Sequence, residues 1–450
     1  MTVRHSDRED FARFLQGEMS SGEVRGLVRN LLTAYRHRRQ ENALRPVGEP
    51  AGSDAEASRF DPLFARSTAH VALRAATLTR EREATAERYA DLMARTPAER
   101  KPLVHADRAY QTWCLGEQLI DQCHRELYAD RSAAEEMASL ALTVADELDP
   151  AWYGSGLIND LKARAWAALG EARRAGADLR GAEEAFTEAE SRLGEGSGDA
   201  LEEAQVLELQ AALRRDQRRI PEALRRLDEA VEIYRQYGDF HLVGRAFVQK
   251  GKALAASADP AEAIHWLQKG IALLDPLRER RLELSARHSL MLQLFESGRH
   301  EEAWFLLKAS RPEFLAHGGV LLALRLRWLE GKIQHALGRA TEAEAVLLEA
   351  RRGFVAQRIG FDAALVSLDL ADFYAGHGRS QEMLRLAEEM LPIFQVGDLH
   401  REAIAALIVF QQAVRMERVS SGLLQEIGSY LRQARTDPKL HFEEPKDLRS

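Results

Sequence analysis

Small and large apolar residues return along this chain with the rhythm of paired helices. The clearest marker is a small residue just after a polar turn: Ala182, Ala223, Ala263, Ala303 and Ala343, with Met383 in the last place. Their spacings are 41, 40, 40, 40 and 40. Four residues after each stand Phe186, Leu227, Leu267, Leu307, Leu347 and Ala387. Three further on come Ala189, Ala230, Gly270, Ser310, Ala350 and Met390. Positions i, i+4 and i+7 share one face of a helix, so each marker predicts an amphipathic helix. A helix with its own register precedes it. Twelve residues before the markers lie Gly170, Ala211, Gly251, Met291, Gly331 and Ala371, and five before those Ala165, Val206, Ala246, Ala286, Leu326 and Val366. Small residues on both helices let an antiparallel pair approach closely.

The predicted unit is therefore a helix–turn–helix hairpin of 40 residues, joined by polar turns such as "GRH" at Gly298–His300. One hairpin cannot bury its apolar face alone, but stacked copies can. Residues 151–415 read as six such units. The stretch Trp113–Pro150 reads as a divergent earlier one, with Ala134, Ala138 and Ala141 at the three offsets and an insertion around Trp152–Gly156. It falls in an N-terminal helical region, 63–150, where further helices are expected at 64–96 and 100–112. Residues 416–434 read as a C-terminal capping helix, for which Ser420 and Ser421 offer an N-cap, and 435–450 as a polar tail. Before the array, 45–62 concentrates Pro, Gly, Ser and Asp and reads as a linker. Residues 1–44 hold one or two short helices.

Composition agrees with an all-α chain of 450 residues: it has few prolines (13) and only 7% aromatics. The net charge of −8 comes from 70 acidic and 62 basic residues, well mixed along the sequence. That balance argues against a general nucleic-acid or membrane-binding surface. Cys114 and Cys123, nine apart on an expected helix, point to opposite sides and suit neither a disulfide nor a metal pair. No apolar run has the length of a membrane span. The charged start "MTVRHSDRED" reads as lacking a signal peptide, so a cytoplasmic location is expected.

At Trp166, Leu169, Gly170, Ala182, Phe186 and Ala189 the sequence resembles the tetratricopeptide repeat. The likeness extends over 113–415, with a longer period than that family's usual 34 residues. It looks like the longer-helix relatives in bacterial regulators and sensors. The resemblance implies an all-α solenoid, a right-handed superhelix of helical hairpins, used for protein or peptide binding. A second resemblance lies in "HSDREDFARFLQGEMSSGEVRGLVRNLLTAYRHR", His5–Arg38, which is similar to the zinc-binding domain of bacterial anti-sigma factors. His5 matches its first ligand. The later ligand positions fall near Leu31, Tyr35 and Arg38, which cannot replace His or thiolates. This predicts a degenerate domain without metal.

Motifs for chemistry are missing: there is no Gly-rich phosphate loop, no GxSxG and no HExxH. The chain is expected to be no enzyme and to need no cofactor. "RERRLELSARH", Arg278–His288, reads as a solvated face or a basic contact patch. Carried along the first helices, the repeat register offers a groove of Arg174, Glu208, Arg215, Arg245, Lys252, His288, Trp328, Lys332, His335 and Asp372. Its middle is positive although the whole chain is acidic. The eight expected contacts are Arg174, Arg215, Arg245, Lys252, His288, Trp328, Lys332 and His335, and the expected partner is a protein or peptide with an acidic segment. The leading expectation is a scaffold or regulatory adaptor. The alternatives are a regulator tied to sigma-factor signalling, or a sensor of a peptide or small ligand.

Overall fold

The computed structural model describes residues 57–127, 130–257, 259–389, 401–434 and 440–442. The fold is all-α and of the helical-repeat solenoid type, with no strand among the described residues. Two compact units divide it, one built from residues up to 206 and the other from 207 onward, apart from 177–179, which group with the second.

The first unit holds α1 (Ala57–Ala94), α2 (Pro97–Ala106), a short 3-10 turn (Arg108–Tyr110), α3 (Trp113–Glu126) and α4 (Arg131–Asp146). The four-residue α5 (Pro150–Tyr153), α6 (Ser155–Ala175) and α7 (Leu179–Gly194) complete it, with the start of α8 (Ala200–Asp216). Its core gathers Leu115, Leu119, Leu140, Val144, Leu161 and Leu169. Helix α1 already begins at Ala57, inside the stretch 45–62 expected as a linker; its opening residues Ala57 and Ser58 follow a run with no Pro or Gly after Gly52. The helix expected at 100–112 starts and stops earlier. Thr96 and Glu99 form a capping box at its front, and Asp107 leaves the helical region to cap the 3-10 turn instead. Residues 1–44, with the zinc-finger-like segment, lie outside the described residues.

The second unit continues from α8 through α9 (Ile220–Tyr237), α10 (Phe240–Ala255), α11 (Pro260–Leu273), α12 (Pro276–Glu296) and α13 (His300–His317). Then follow α14 (Gly319–Ala336), α15 (Ala340–Ala356), α16 (Gly360–Gly376), α17 (Ser380–Glu388), α18 (Arg401–Arg415) and α19 (Ser421–Ala434). Several starts are written in the sequence. Asp239, Asp259 and Asp275 cap α10, α11 and α12 by accepting from Leu242, Glu262 and Leu277 N–H groups, and Pro260 and Pro276 take the first helical position. Ser420 accepts from the Leu423 N–H at 3.2 Å in front of α19. Phe442, within the stretch expected as a polar tail, packs against Tyr430 with ring centroids 4.9 Å apart.

Every marker residue within the described positions is buried, on both helices of each hairpin. Five residues before the marker the chain passes through a left-handed conformation, at Ala177, Arg218, Gly298, Gly338 and Gly378. Glycine adopts it without strain, and an L side chain does so at a cost. Two local clusters support the second unit. One is built on Leu284, Met291, Leu307, Phe314 and Leu329, the other on Phe354, Leu365, Phe373, Phe410 and Leu431. Cys114 and Cys123 are buried free thiols, and burial pushes Cys123 up to about 12. Among the described residues no helix is long and apolar enough to cross a membrane.

Candidate recognition site

The first helices of the second unit, α8, α10, α12, α14 and α16, carry a row of polar side chains at corresponding positions on one helix after the next. Arg215, Lys252, His288, Arg325 and Asp362 succeed one another at spacings of 37, 36, 37 and 37. The hairpin period is 40, so the row steps back about one helical turn at each repeat. Arg215 is the charge that weighs on Lys252, while Lys252, Arg325 and Asp362 all act on His288. The row ends in an ion pair, Arg325 Nη2 to Asp362 Oδ2 at 3.1 Å, with Asp362 1% exposed.

Three of the expected contacts belong to this row. Arg215 is balanced by Asp216 at 2.9 Å. Lys252 is partly buried, and its ammonium donates to the Ser285 hydroxyl at 3.4 Å. Burial first, then Arg215, pushes its pKa down to about 8. No carboxylate lies within ion-pair distance of it among the described residues. His288 has a buried Nε2 without a hydrogen-bond partner among the described residues. Burial lowers its pKa to about 4, with Arg325 and Lys252 adding to the effect and the Arg325 backbone and Asp362 opposing it. It is therefore neutral near pH 7.

Two further expected contacts sit together on α14. The Trp328 indole N–H donates to Asp369 Oδ2 at 2.6 Å, and its ring meets Phe354 edge-on at 6.1 Å. Lys332 lies 3.7 Å from the same carboxylate and 5.3 Å above the Phe295 ring. His335 is exposed and forms an aromatic group with Phe373 and His377, at 5.0 and 5.7 Å. Burial and His377 lower its pKa.

The remaining two are locked into ion pairs. Arg245 meets Glu208 at 2.8 Å and Glu279 at 3.4 Å, and donates to the Tyr234 hydroxyl at 3.3 Å. Burial raises Glu208 to about 7 despite that partner. Arg174 holds Glu171 in a bidentate pair at 2.6 and 2.8 Å within the first unit. The expected groove thus resolves into separate groups, and Arg174 belongs to a different unit from the rest. Three of the four arginines in the stretch Arg278–His288 are paired as well: Arg278 with Asp239, Arg280 with Glu283 and Glu313, and Arg287 with Glu283, while Arg281 is exposed.

Ser285, Arg325, Asp362 and Asp369 are site residues that the sequence reading missed. For Arg325, Asp362 and Asp369 the signal is present but lies at a step of 37, as in Lys332 to Asp369 and Arg325 to Asp362, while Ser285 meets Lys252 at a separation of 33. A search at the hairpin period passes over it.

Residues 202–275 match the tetratricopeptide repeat family. No curated protein matches the chain by sequence. Among solved structures, the chain is similar to a Rap protein complexed with competence and sporulation factor, at 12% identity and a TM-score of 0.52, covering 71% of this chain and 87% of that one. It is also similar to a signal transduction ATPase with numerous domains and a tetratricopeptide repeat sensor from Pyrococcus horikoshii, at 14% identity and a TM-score of 0.52. That alignment covers 79% of this chain and 52% of the other, so the chain spans about half the length of that relative. Family match and structural likeness agree on the fold: this is an all-α helical-repeat protein in which residues 202–275 match the tetratricopeptide repeat.

Proposed function

We propose that the chain is a binding protein, acting without catalysis, whose second unit recognises a peptide or an extended segment of a protein partner along its first-helix face. The carrying observation is the row Arg215–Lys252–His288–Arg325–Asp362, one side chain from the first helix of each of five successive hairpins. A row of that kind suits a linear ligand, because each helix offers one polar contact to one short stretch of chain. Arg215 and Arg325 of the row are paired and Lys252 has no acidic partner among the described residues, so the uncompensated charge is positive, which favours a segment with a carboxylate. Trp328 and Lys332 beside it supply an aromatic edge and a second cation. A cytoplasmic adaptor or regulator is the setting this reading expects.

A peptide sensor is the second reading. It is favoured by the likeness to the Rap protein, which is complexed with competence and sporulation factor, and to a protein described as carrying a tetratricopeptide repeat sensor. The link to sigma factors has only the likeness of residues 5–38 behind it, and those residues lie outside the described structure.

The test is partner capture from extract by the full-length chain and by the same chain with Lys252→Glu and Lys332→Glu. Loss of the captured partner supports the first-helix face, and unchanged capture by a folded double variant overturns it. Capture that needs residues 1–60 moves recognition to the N-terminal segment.

A further inference from the structure

We propose that Lys252 and His288 form a subsite for a single carboxylate group between α10 and α12, an assignment that rests on the recognition reading above and narrows it to one chemical group. The cations of this face differ in one respect. Arg215 has Asp216, Arg245 has Glu208 and Glu279, Arg325 has Asp362 and Lys332 has Asp369. Lys252 has only the Ser285 hydroxyl, among the described residues. Three residues on from Ser285 along α12, and so on the same side of that helix, stands His288, whose buried Nε2 has no hydrogen-bond partner among the described residues. A partly buried ammonium without a counter-charge and a buried ring nitrogen without a partner are both costly to leave unsatisfied. A ligand that meets both at once removes both costs.

Charge selects the ligand. The groups facing the pair are Arg215 from α8, Ser285 from α12, Arg325 from α14 and Asp362 from α16. Arg215 and Arg325 are already balanced, and His288 is neutral, so the subsite carries one uncompensated positive charge. One carboxylate cancels it. A phosphate dianion would leave negative charge in a partly buried place. The carboxylate accepts from the Lys252 ammonium and favours a proton on His288 Nε2, which then donates to its second oxygen. Neutral His288 makes its contact with its one ring proton on Nε2, whereas the Lys252 contact needs the ammonium, so affinity falls as pH rises through the range where Lys252 loses its proton. An Asp or Glu side chain, or the terminal carboxylate of a peptide, presents this group; acetate presents it in isolation.

The experiment uses full-length chain labelled with 13C at the lysine ε-carbon, the Lys252 signal being assigned by its loss in Lys252→Arg. Acetate and inorganic phosphate are titrated at constant ionic strength against sodium chloride. The proposal expects a saturable shift of the Lys252 signal with acetate, no more than the chloride response with phosphate, and loss of the acetate shift once Lys252 is deprotonated. A signal that ignores acetate, moves together with all other lysines, or responds more strongly to phosphate overturns it. A chain that binds acetate but captures no partner keeps the subsite and removes the recognition reading. A chain that captures its partner through this face yet is silent to acetate does the reverse.

Discussion

Leu267 of α11 occupies the space that a side chain on Gly251 of α10 would need: a Cβ built on Gly251 lies 2.6 Å from Leu267 Cγ and 3.1 Å from the Ala263 carbonyl. The same close approach recurs between Gly170 and Phe186, and between Gly331 and Leu347, at 2.8 and 2.6 Å. The helix pair is thus set by a small residue on the first helix facing a large one four residues after the marker on the second.

Gly251→Ala is expected to destabilise the chain by about 1–3 kcal/mol, although alanine is the better helix former, because the overpacking outweighs the propensity gain. Adding Leu267→Ala removes the clash but opens a cavity. The double variant should therefore lose less than the sum of the two single losses, and urea denaturation of the four proteins measures the difference. A stabilising Gly251→Ala would contradict the packing.

The left-handed turn gives an independent check. Gly338 has φ +75° and nothing within 4 Å of a built Cβ, so only backbone strain opposes a side chain there. Gly338→Ala should cost about 1–2 kcal/mol, and a neutral result would mean that the turn rearranges.

These elements were legible in the sequence because core packing repeats with the hairpin. Ala263 and Ala303 are interchangeable in register, and so are Gly251 and Gly331. Most of the candidate face was not. Neighbours on adjacent first helices are offset by about a turn, so Arg325 finds Asp362 and Lys332 finds Asp369 at a step of 37. Nor does sequence separate Lys250 from Lys252. Lys250 is buried, pairs with Asp228 at 2.6 Å and lies 3.9 Å over the Trp266 ring. Lys252, two residues on and turned about 200° around the helix, has no acidic partner among the described residues. Trp328 likewise reads as a free aromatic until its indole N–H is seen donating to Asp369.

Lys252 should weaken the chain that carries it. Its folded pKa of about 8 lies below the ordinary lysine value near 10.4, so between those limits the unfolded chain binds more protons and stability rises with pH. Lys252→Met is expected to be more stable at neutral pH by on the order of 1 kcal/mol once solvent screening is allowed for. The gap should close as pH climbs from 8 towards 10.4. Thermal melts of both proteins across that range decide it; a variant less stable at neutral pH would show that the charge is compensated.

Trp328→Phe removes the donor to Asp369 while keeping an aromatic ring against Phe354, and should cost about 1 kcal/mol. If Trp328 also meets the partner, affinity should fall in the folded variant as well. A stability loss with unchanged affinity would leave Trp328 a purely structural residue.

The most direct measurement of the central claim is site-specific photo-crosslinking in extract. One probe replaces Ser289, which lies 37 residues beyond Lys252 on the first-helix side. The other replaces Phe305 of α13, which is 77% exposed on a second helix. Recognition along the first-helix face predicts a discrete adduct from position 289 that disappears with Lys252→Glu, and none from position 305. An adduct from 305 alone, or one at 289 that survives the charge reversal, would contradict it.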